Sequence, residues 1–195
     1  MPDRVAGVSH FCLHTNLSVR DKGRNIAVAL NEFLLIVVIM GVTGAGKTTI
    51  GKLLAQRLRW DFVDADSFHS PENIEKIRLG IPLDDADRAP WLRYLHAAIK
   101  EWLAEHRNVA LACSALKKGY RDQLCVSSEV MLVYLNGSYD LIYQRLRHRQ
   151  GHFANEKLLA SQFADLEEPK NAITVDIDHS PDEVVEEIIG KLGVR

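Results

Sequence analysis

The chain of 195 residues is long enough for one domain with a hydrophobic core that needs neither disulfides nor metals. Its formal net charge of -2, without a dominant basic stretch, argues against a nucleic-acid-binding protein. The three cysteines form no C-x-x-C pair, which favours a reducing compartment. Cys113 is interpreted as a small core residue on a strand, with a nucleophile as the alternative.

Residues 1–33 form an N-terminal extension to a domain that we expect to span residues 34–195. Basic residues and an apolar run in the extension superficially resemble a secretion signal, but the apolar residues continue directly into the first predicted strand. We therefore predict no targeting signal and no membrane segment. The residues up to about Arg24 are either a poorly ordered extension or the product of a wrongly assigned upstream translation start.

The stretch from Leu34 to Leu58 is the most informative part of the chain. Seven apolar residues, Leu34–Met40, predict a buried strand, and apolar residues at helical spacing from Ile50 predict a helix. The intervening Gly41–Thr48 matches G-x-x-x-x-G-K-[ST], a loop whose backbone N–H groups surround phosphate oxygens. The predicted nucleotide-binding residues are Gly41, Val42, Thr43, Gly44, Ala45, Gly46, Lys47, Thr48 and Thr49.

Within this P-loop, two side chains have predicted roles of their own. Lys47 is expected to reach the β- and γ-phosphates, and the Thr48 hydroxyl is expected to hold Mg²⁺.

The remaining chain alternates predicted strands with predicted helices. Further strands are expected at 60–64, 109–114, 130–135 and 172–176, and helices at 71–80, 92–103, 117–124, 139–149, 158–163 and 181–192. Ser70, Ser138 and Ser180 are predicted N-caps, whereas Ile81–Pro90 is predicted to be a loop. This alternation indicates an α/β fold: a three-layer α/β/α sandwich around a parallel sheet of about five strands, of the P-loop nucleoside-triphosphate-hydrolase type.

Ligands of such sheets bind beyond the carboxyl ends of the strands, which places several polar segments along one edge. These segments are Gly41–Thr48, Asp64–Asp66, Ser114–Lys117 and Asn136. Because alternate strand residues point the same way, Asp64 and Asp66 are expected to face the γ-phosphate together. One carboxylate would assist Mg²⁺ and the other would accept a hydrogen bond or proton from a substrate hydroxyl, although an ordinary polar strand end remains the alternative.

A P-loop alone does not distinguish a GTPase, an ATPase motor and a small-molecule kinase. The guanine-recognition pattern N-K-x-D is absent after the fourth strand, and no long insertion indicates a motor. The basic run Arg145–Arg149 and the Gly151-His152 pair are interpreted as part of a lid around residues 147–165, with an arginine that neutralises charge on the transferring phosphoryl group. The alternative is a solvated helix end.

Several separated blocks resemble the gluconate kinases (gluconokinases) of the shikimate-kinase-like P-loop group, over about four-fifths of the chain. The blocks are Met40–Thr48, Asp64–His69, Pro71–Ile74, Gly80–Leu83, Asp85–Leu92, Cys113–Lys117, Tyr120–Asp122, Arg149–Phe153, Ser161–Phe163 and Leu166–Pro169. The resemblance implies ATP-dependent phosphorylation of D-gluconate on its terminal hydroxyl to 6-phospho-D-gluconate, with Mg²⁺, in the cytoplasm and often as a homodimer.

The resemblance also implies roles for individual residues. Lys47, Asp64, Asp66 and Arg149 would be catalytic, Thr48 and Asp64 would bind the metal, and Arg145 would join the P-loop in binding nucleotide. The substrate would be bound by Asp66, His69, Arg88, Lys117, Arg121 and His152. Alternatives that remain open are another small-molecule kinase of the same fold, acting on shikimate or a different sugar acid, and a nucleotide-binding regulatory protein without transfer activity.

Overall fold

The computed structural model describes residues 34–148 and 155–194, in which strands and helices alternate. The strands are β1 (Ile36–Met40), β2 (Asp61–Asp64), β3 (Val109–Ala112), β4 (Val130–Asn136) and β5 (Ile173–Asp176). The helices are α1 (Lys47–Leu58), α2 (Pro71–Arg78), α3 (Asp85–Ala104), α4 (Lys118–Leu124), α5 (Tyr139–Arg147), α6 (Asn155–Asp165) and α7 (Pro181–Leu192). The predicted elements are all present, and most of their ends differ by only a few residues.

The five strands form one parallel sheet in the order β2-β3-β1-β4-β5. Ile39 of β1 pairs with Ala112 of β3, and Met40 pairs with Tyr134 of β4, so the carboxyl ends of the three central strands lie at one edge. From β1 the chain passes to β2 at one edge of the sheet and returns to β3, which lies between β2 and β1. It then continues to β4 and β5 on the other side of β1. The P-loop therefore follows the strand at which the strand order reverses, the usual ligand site of an open α/β sheet.

Strand β1 is buried on both faces, which explains its uninterrupted apolar sequence. Val37 and Ile39 pack in a core with apolar residues of α1, α5, α6 and α7. Ile36, Val38 and Met40 pack in a second core with α3 and α4. Because successive strand residues point to opposite faces, the two cores confirm the predicted three-layer α/β/α sandwich.

Hydroxyl caps fix the starts of three helices, as the sequence predicts. Ser70 accepts a hydrogen bond from the Asn73 N–H at the start of α2, and Ser138 does the same for Leu141 at the start of α5. Ser180 and Glu183 form a reciprocal capping box at the start of α7. Each cap accepts from a backbone N–H that has no acceptor within its own helix.

The predicted loop Ile81–Pro90 is wrong, because helix α3 begins at Asp85 and includes Pro90. Asp84 accepts from the Asp87 N–H, and the Asp87 side chain accepts from the Asp84 N–H, which completes a capping box made of two aspartates. Pro90 lacks the N–H that would donate to the Ala86 carbonyl. Both of these residues are exposed, so water can satisfy that carbonyl and the helix continues.

Two parts of the predicted organisation lie outside the described residues: the extension 1–33 and residues 149–154 of the expected lid. Within the described ranges, no helix is both long enough and apolar enough to cross a membrane.

Candidate active site

The P-loop leaves β1 through Gly41 and enters α1 through Gly46, which caps the helix with a φ of +99°. Gly44 has a φ of +81°, and a Cβ added there would lie 2.9 Å from both Ile142 and Leu146 of α5. Only glycine fits this position, because the loop needs a left-handed backbone and close packing on α5 at once. The first backbone N–H groups of α1 have no intrahelical acceptor, so they are available to an anion beside the loop.

Lys47 is the first residue of α1, and its Nζ donates a hydrogen bond to the Val42 carbonyl at 3.0 Å. The ammonium group therefore lies back over the loop. Desolvation in this cleft lowers the pKa of Lys47, and the nearby charges of Asp66 and Asp64 oppose the shift. The Lys47 ammonium group is therefore close enough to Asp64 and Asp66 to interact electrostatically with both carboxylates.

Thr48, Asp64 and Asp66 form a short hydrogen-bonded chain beside Lys47. The Thr48 hydroxyl donates to Asp64 Oδ2 at 2.9 Å, and the Asp66 N–H donates to Asp64 Oδ1 at 3.1 Å. The predicted pairing of both carboxylates on one strand face is wrong, because β2 ends at Asp64 and Asp66 lies in a 3₁₀ turn, Ala65–Phe68. Capping of this turn by Asp64 ends the strand, and the turn rather than strand alternation brings Asp66 towards Lys47.

Asp66 is exposed to the cleft, yet surrounding protein atoms limit the solvation of its carboxylate. This desolvation raises the pKa of Asp66, Lys47 lowers it, and Asp64 raises it further. A carboxylate with a raised pKa that faces a lysine can accept a proton from a hydroxyl group.

A second cluster of charges joins the start of α3 to the start of α4. Lys117 Nζ lies 2.8 Å from Asp85 Oδ1, and the Tyr120 hydroxyl also donates to this oxygen. These two hydrogen bonds lower the pKa of Asp85, chiefly the one from Lys117. Arg88 donates to the Tyr120 hydroxyl at 3.2 Å and lies 3.5 Å from Asp165 Oδ2. The structure therefore brings the predicted substrate-binding residues Arg88 and Lys117 together.

Arg121 lies elsewhere, since its side chain is buried and its Nη1 donates to the carbonyls of Ala115 and Leu116. Ala115 has a left-handed backbone with a φ of +44°, so Arg121 stabilises a strained turn after β3. These contacts favour a structural role, and substrate binding by Arg121 stays a prediction that no described contact supports.

His69 stacks on Trp91, with ring centroids 4.7 Å apart and the planes inclined by 9°. Its Nδ1 is buried and has no hydrogen-bond partner within the described part of the chain. Burial, helped by Arg88, lowers the pKa of His69 to about 4, so the imidazole is neutral at physiological pH. The ring lines a cavity of 270 Å³ with Asn73, Asp87 and Tyr94 among the other wall residues. A neutral imidazole there can exchange hydrogen bonds with a hydroxyl group.

A cavity of 440 Å³ lies directly beside the P-loop. Its wall combines loop and helix residues: Gly44, Ala45, Gly46, Thr49, Ile50, Arg145, His148, Ile177, His179, Pro181 and Val184. The Arg145 guanidinium donates to the Ile177 carbonyl, which anchors α5 to the segment after β5. Arg145 therefore lies next to the phosphate loop, and its role in nucleotide binding stays a prediction.

Three residues with a predicted role remain: Arg149, His152 and Cys113. Arg149 and His152 lie outside the described residues, so their catalytic and substrate-binding roles stay predictions. Cys113 is buried directly after β3, where its N–H donates to the Ile39 carbonyl of β1, and burial raises the pKa of its thiol to about 12. The thiol is therefore a core group, in agreement with the sequence prediction.

Four side chains at the site were given no individual role by the sequence: Asp85, Tyr120, Gln162 and Asp165. Gln162 of α6 accepts a hydrogen bond from the Thr43 N–H of the P-loop at 2.6 Å. Asp85, Tyr120 and Gln162 belong to blocks that carry the family resemblance. That membership was the available signal, but it does not specify their partners.

A parallel sheet with a P-loop after its central strand, and with acidic and basic side chains at the same edge, defines a P-loop kinase of small molecules. A family model described as shikimate kinase matches residues 43–193. The chain is 43% identical over 178 residues to a protein of Mus musculus named probable gluconokinase, covering 80% of this chain and 97% of that protein. It is likewise 43% identical over 157 residues to a gluconokinase of Gluconobacter oxydans, covering 78% and 88%.

A solved structure agrees with the sequence comparison. A gluconokinase from Sinorhizobium meliloti superposes with a TM-score of 0.74 at 40% identity, over 83% of this chain and 93% of that chain. The chain belongs to the gluconokinase family, within the shikimate-kinase group.

Proposed function

We propose that this protein transfers the γ-phosphoryl group of ATP to the terminal hydroxyl of D-gluconate and releases 6-phospho-D-gluconate and ADP. The observation that carries the proposal is the contact of Thr48 with Asp64, beside Lys47 and Asp66, at the edge where the P-loop follows β1. The names of the 40%-identical relatives support gluconate as the acceptor.

The P-loop supplies the nucleotide site. Backbone N–H groups at the start of α1 would surround the β-phosphate, and Lys47 would leave the Val42 carbonyl to contact the β- and γ-phosphates. The cavity of 440 Å³ beside Gly44 has room for the adenosine part of the nucleotide, with Arg145 in its wall.

Thr48 and Asp64 would hold Mg²⁺. No group of three or more histidine, cysteine or acidic residues is arranged as a metal site in the described ranges. This donor set fits Mg²⁺, which is usually bound by one or two carboxylates together with phosphates and water rather than by a complete protein cage. When bound, Mg²⁺ neutralises negative charge that develops between the β- and γ-phosphates.

Asp66 is the group best placed to receive the acceptor hydroxyl. As the hydroxyl oxygen bonds to the γ-phosphorus, the bond to the β–γ bridging oxygen breaks, and ADP leaves with the electron pair. The hydroxyl proton passes to Asp66, whose raised pKa suits this role. Asp64 is the next candidate for the base, because it lies in the same hydrogen-bonded chain.

The charge of the acceptor carboxylate would be balanced by Arg88 and Lys117. Both cations are now paired with acidic side chains, Lys117 with Asp85 and Arg88 with Asp165. A substrate carboxylate would compete with these partners, and the planar guanidinium of Arg88 suits a bidentate contact. Neutral His69 would bind a hydroxyl of the polyol chain.

Shikimate is a second candidate acceptor, because the matching family model is described as shikimate kinase. The deciding experiment measures ADP release from Mg²⁺-ATP with D-gluconate, shikimate, other sugar acids or no acceptor. Strong stimulation by gluconate alone supports the proposal, whereas turnover with shikimate alone contradicts it. Nucleotide binding without any effect of an acceptor would favour a regulatory protein. The homodimeric state and the cytoplasmic location stay predictions.

A further inference from the structure

Helix α6 contacts both the P-loop and the predicted acceptor-binding residue Arg88, through side chains one turn apart. Gln162 Oε1 accepts from the Thr43 N–H of the P-loop at 2.6 Å. Asp165 Oδ2 lies 3.5 Å from Nη1 of Arg88, a predicted acceptor-binding residue. Residues three apart on a helix lie on the same side, so this side of α6 faces the nucleotide site and the acceptor site together.

The contact between Gln162 and Thr43 is distinctive within the P-loop. The other described hydrogen bonds of the segment Gly41–Gly46 involve only backbone atoms or the adjacent Lys47, such as the hydrogen bond from the Ala45 N–H to the Val42 carbonyl. Gln162 is the one described side chain from another element that bonds to a backbone amide of Gly41–Gly46. Its neutral carboxamide accepts this hydrogen bond without adding negative charge beside the phosphates.

Glu167, two residues after the end of α6, is hydrogen-bonded to the loop after β3. The Glu167 N–H donates to the Leu116 carbonyl at 3.0 Å, and Glu167 Oε2 accepts from the Lys118 N–H at 2.6 Å. These contacts flank Lys117, the second predicted acceptor-binding cation. The stretch 162–167 therefore joins the P-loop, Arg88 and the loop that carries Lys117.

We propose that Gln162 and Asp165 are positioning residues that couple nucleotide binding to acceptor binding. A nucleotide that orders the P-loop would order α6 through Thr43, and α6 would then fix Asp165 against Arg88. Coupling of this kind is reciprocal, so the acceptor must raise nucleotide affinity by the same factor. This inference rests on the proposed function, because it needs both ATP and D-gluconate as ligands.

The test is calorimetry with the non-hydrolysable imidodiphosphate analogue of ATP and Mg²⁺, titrated with and without saturating D-gluconate. We expect gluconate to tighten analogue binding to the unaltered protein by about fivefold or more. Gln162→Met keeps the length of the side chain but removes the acceptor oxygen, and it should bring this factor close to one. Asp165→Asn should also reduce the factor, and the double variant should lose little more than Gln162→Met alone.

The control is Gln123→Met, since Gln123 is exposed on α4 and its side-chain amide has one described hydrogen bond, to the Gly119 carbonyl of the same helix. It should keep the full coupling factor. An unchanged factor in Gln162→Met, even with a lower melting temperature, would overturn the inference and leave the proposed function intact. Failure of the unaltered protein to bind gluconate at all would overturn both.

Discussion

The Thr48 hydroxyl and the Asp64 carboxylate are 2.9 Å apart, so the start of α1 and the end of β2 meet at a single hydrogen bond. Both oxygen atoms are ligands that Mg²⁺ prefers. The contact brings together two residues that lie 16 positions apart in the chain.

Replacing Thr48 by valine removes one of these oxygens while keeping the shape of the side chain. We expect the Mg²⁺ concentration for half-maximal activity to rise by about tenfold or more, because even indirect metal contacts are worth that much. The measurement is ADP release over a Mg²⁺ titration. Thr174→Val, at an exposed position of β5, is the matched control and should leave the titration unchanged. Equal Mg²⁺ requirements in both variants would remove Thr48 from the metal site.

Lys47→Ala should lower the rate of ADP release by about 10²- to 10³-fold, because one preorganised cation that contacts the transferring phosphoryl group is removed. The fold should survive, since Lys47 belongs to neither hydrophobic core and its side chain has one described hydrogen bond, to the Val42 carbonyl. Circular dichroism checks the fold. Lys52→Ala removes an exposed lysine from the same helix and should keep full activity. Normal turnover in Lys47→Ala would contradict the assignment.

Asp66→Asn should slow transfer by about 10²-fold or more if Asp66 accepts the hydroxyl proton. The base works only when deprotonated, and its pKa is raised above the ordinary value of 3.8. Activity of the unaltered protein should therefore fall as pH falls through that raised pKa. The Asn variant should lack this acidic limb while still binding ATP. An unchanged rate would move the role of base to Asp64.

We expect the free energy of unfolding to depend on pH because the pKa of His69 differs between the folded and unfolded protein. Its pKa is about 4 in the folded protein and 6.5 in its ordinary state, so only the unfolded chain binds the proton between these values. The contribution of neutral His69 is complete above pH 6.5 and is lost as pH falls towards 4. His69→Gln should flatten the dependence of the unfolding free energy on pH in this window, measured by urea denaturation. His96→Gln, at a partly buried histidine that contacts the Gln123 carbonyl, should leave that slope in place. An equally steep slope in His69→Gln would show that other groups cause it.

Gly44→Ala should lower the free energy of unfolding by about 2 kcal/mol, from a left-handed backbone and overpacking against α5. The added Cβ would lie 2.9 Å from Ile142 and Leu146. Nucleotide affinity should fall as well, because the loop backbone must shift. Gly119→Ala on α4 meets no atom within 4 Å and should raise stability by about 0.5 kcal/mol. Thermal unfolding and nucleotide titration of the two variants test this contrast, and similar stability in both would contradict it.

The parts of the fold that sequence predicts well are those with a local cause. The apolar run of β1 and the capping serines Ser138 and Ser180 each signal their own element, and the P-loop pattern signals its own turn. The start of α3 was missed because Pro90 and several acidic residues resemble a loop, although Asp84 and Asp87 cap one another. There, capping and exposure outweigh the intrinsic preference of proline.

Contacts between distant segments had no such local signal. Gln162 and Thr43 are 119 positions apart, and no periodicity or spacing connects them. For the same reason the burial of Arg121 under the turn after β3 could not be separated from substrate binding, since an arginine near a predicted ligand edge suits both. The sequence therefore located the P-loop and the acidic and basic segments at the edge of the sheet, whereas the pairing of their charges required the three-dimensional structure.

Burial of the Cys113 thiol determines how fast it can react with oxidants and alkylating agents. With a pKa of about 12, it carries almost no thiolate at physiological pH, and its buried position directly after β3 shields it from reagents. Alkylating agents should reach Cys113 only when the centre of the sheet opens. The rate at which Cys113 is labelled would then report how often the structure beneath the phosphate loop unfolds transiently. Bound nucleotide should lower this labelling rate.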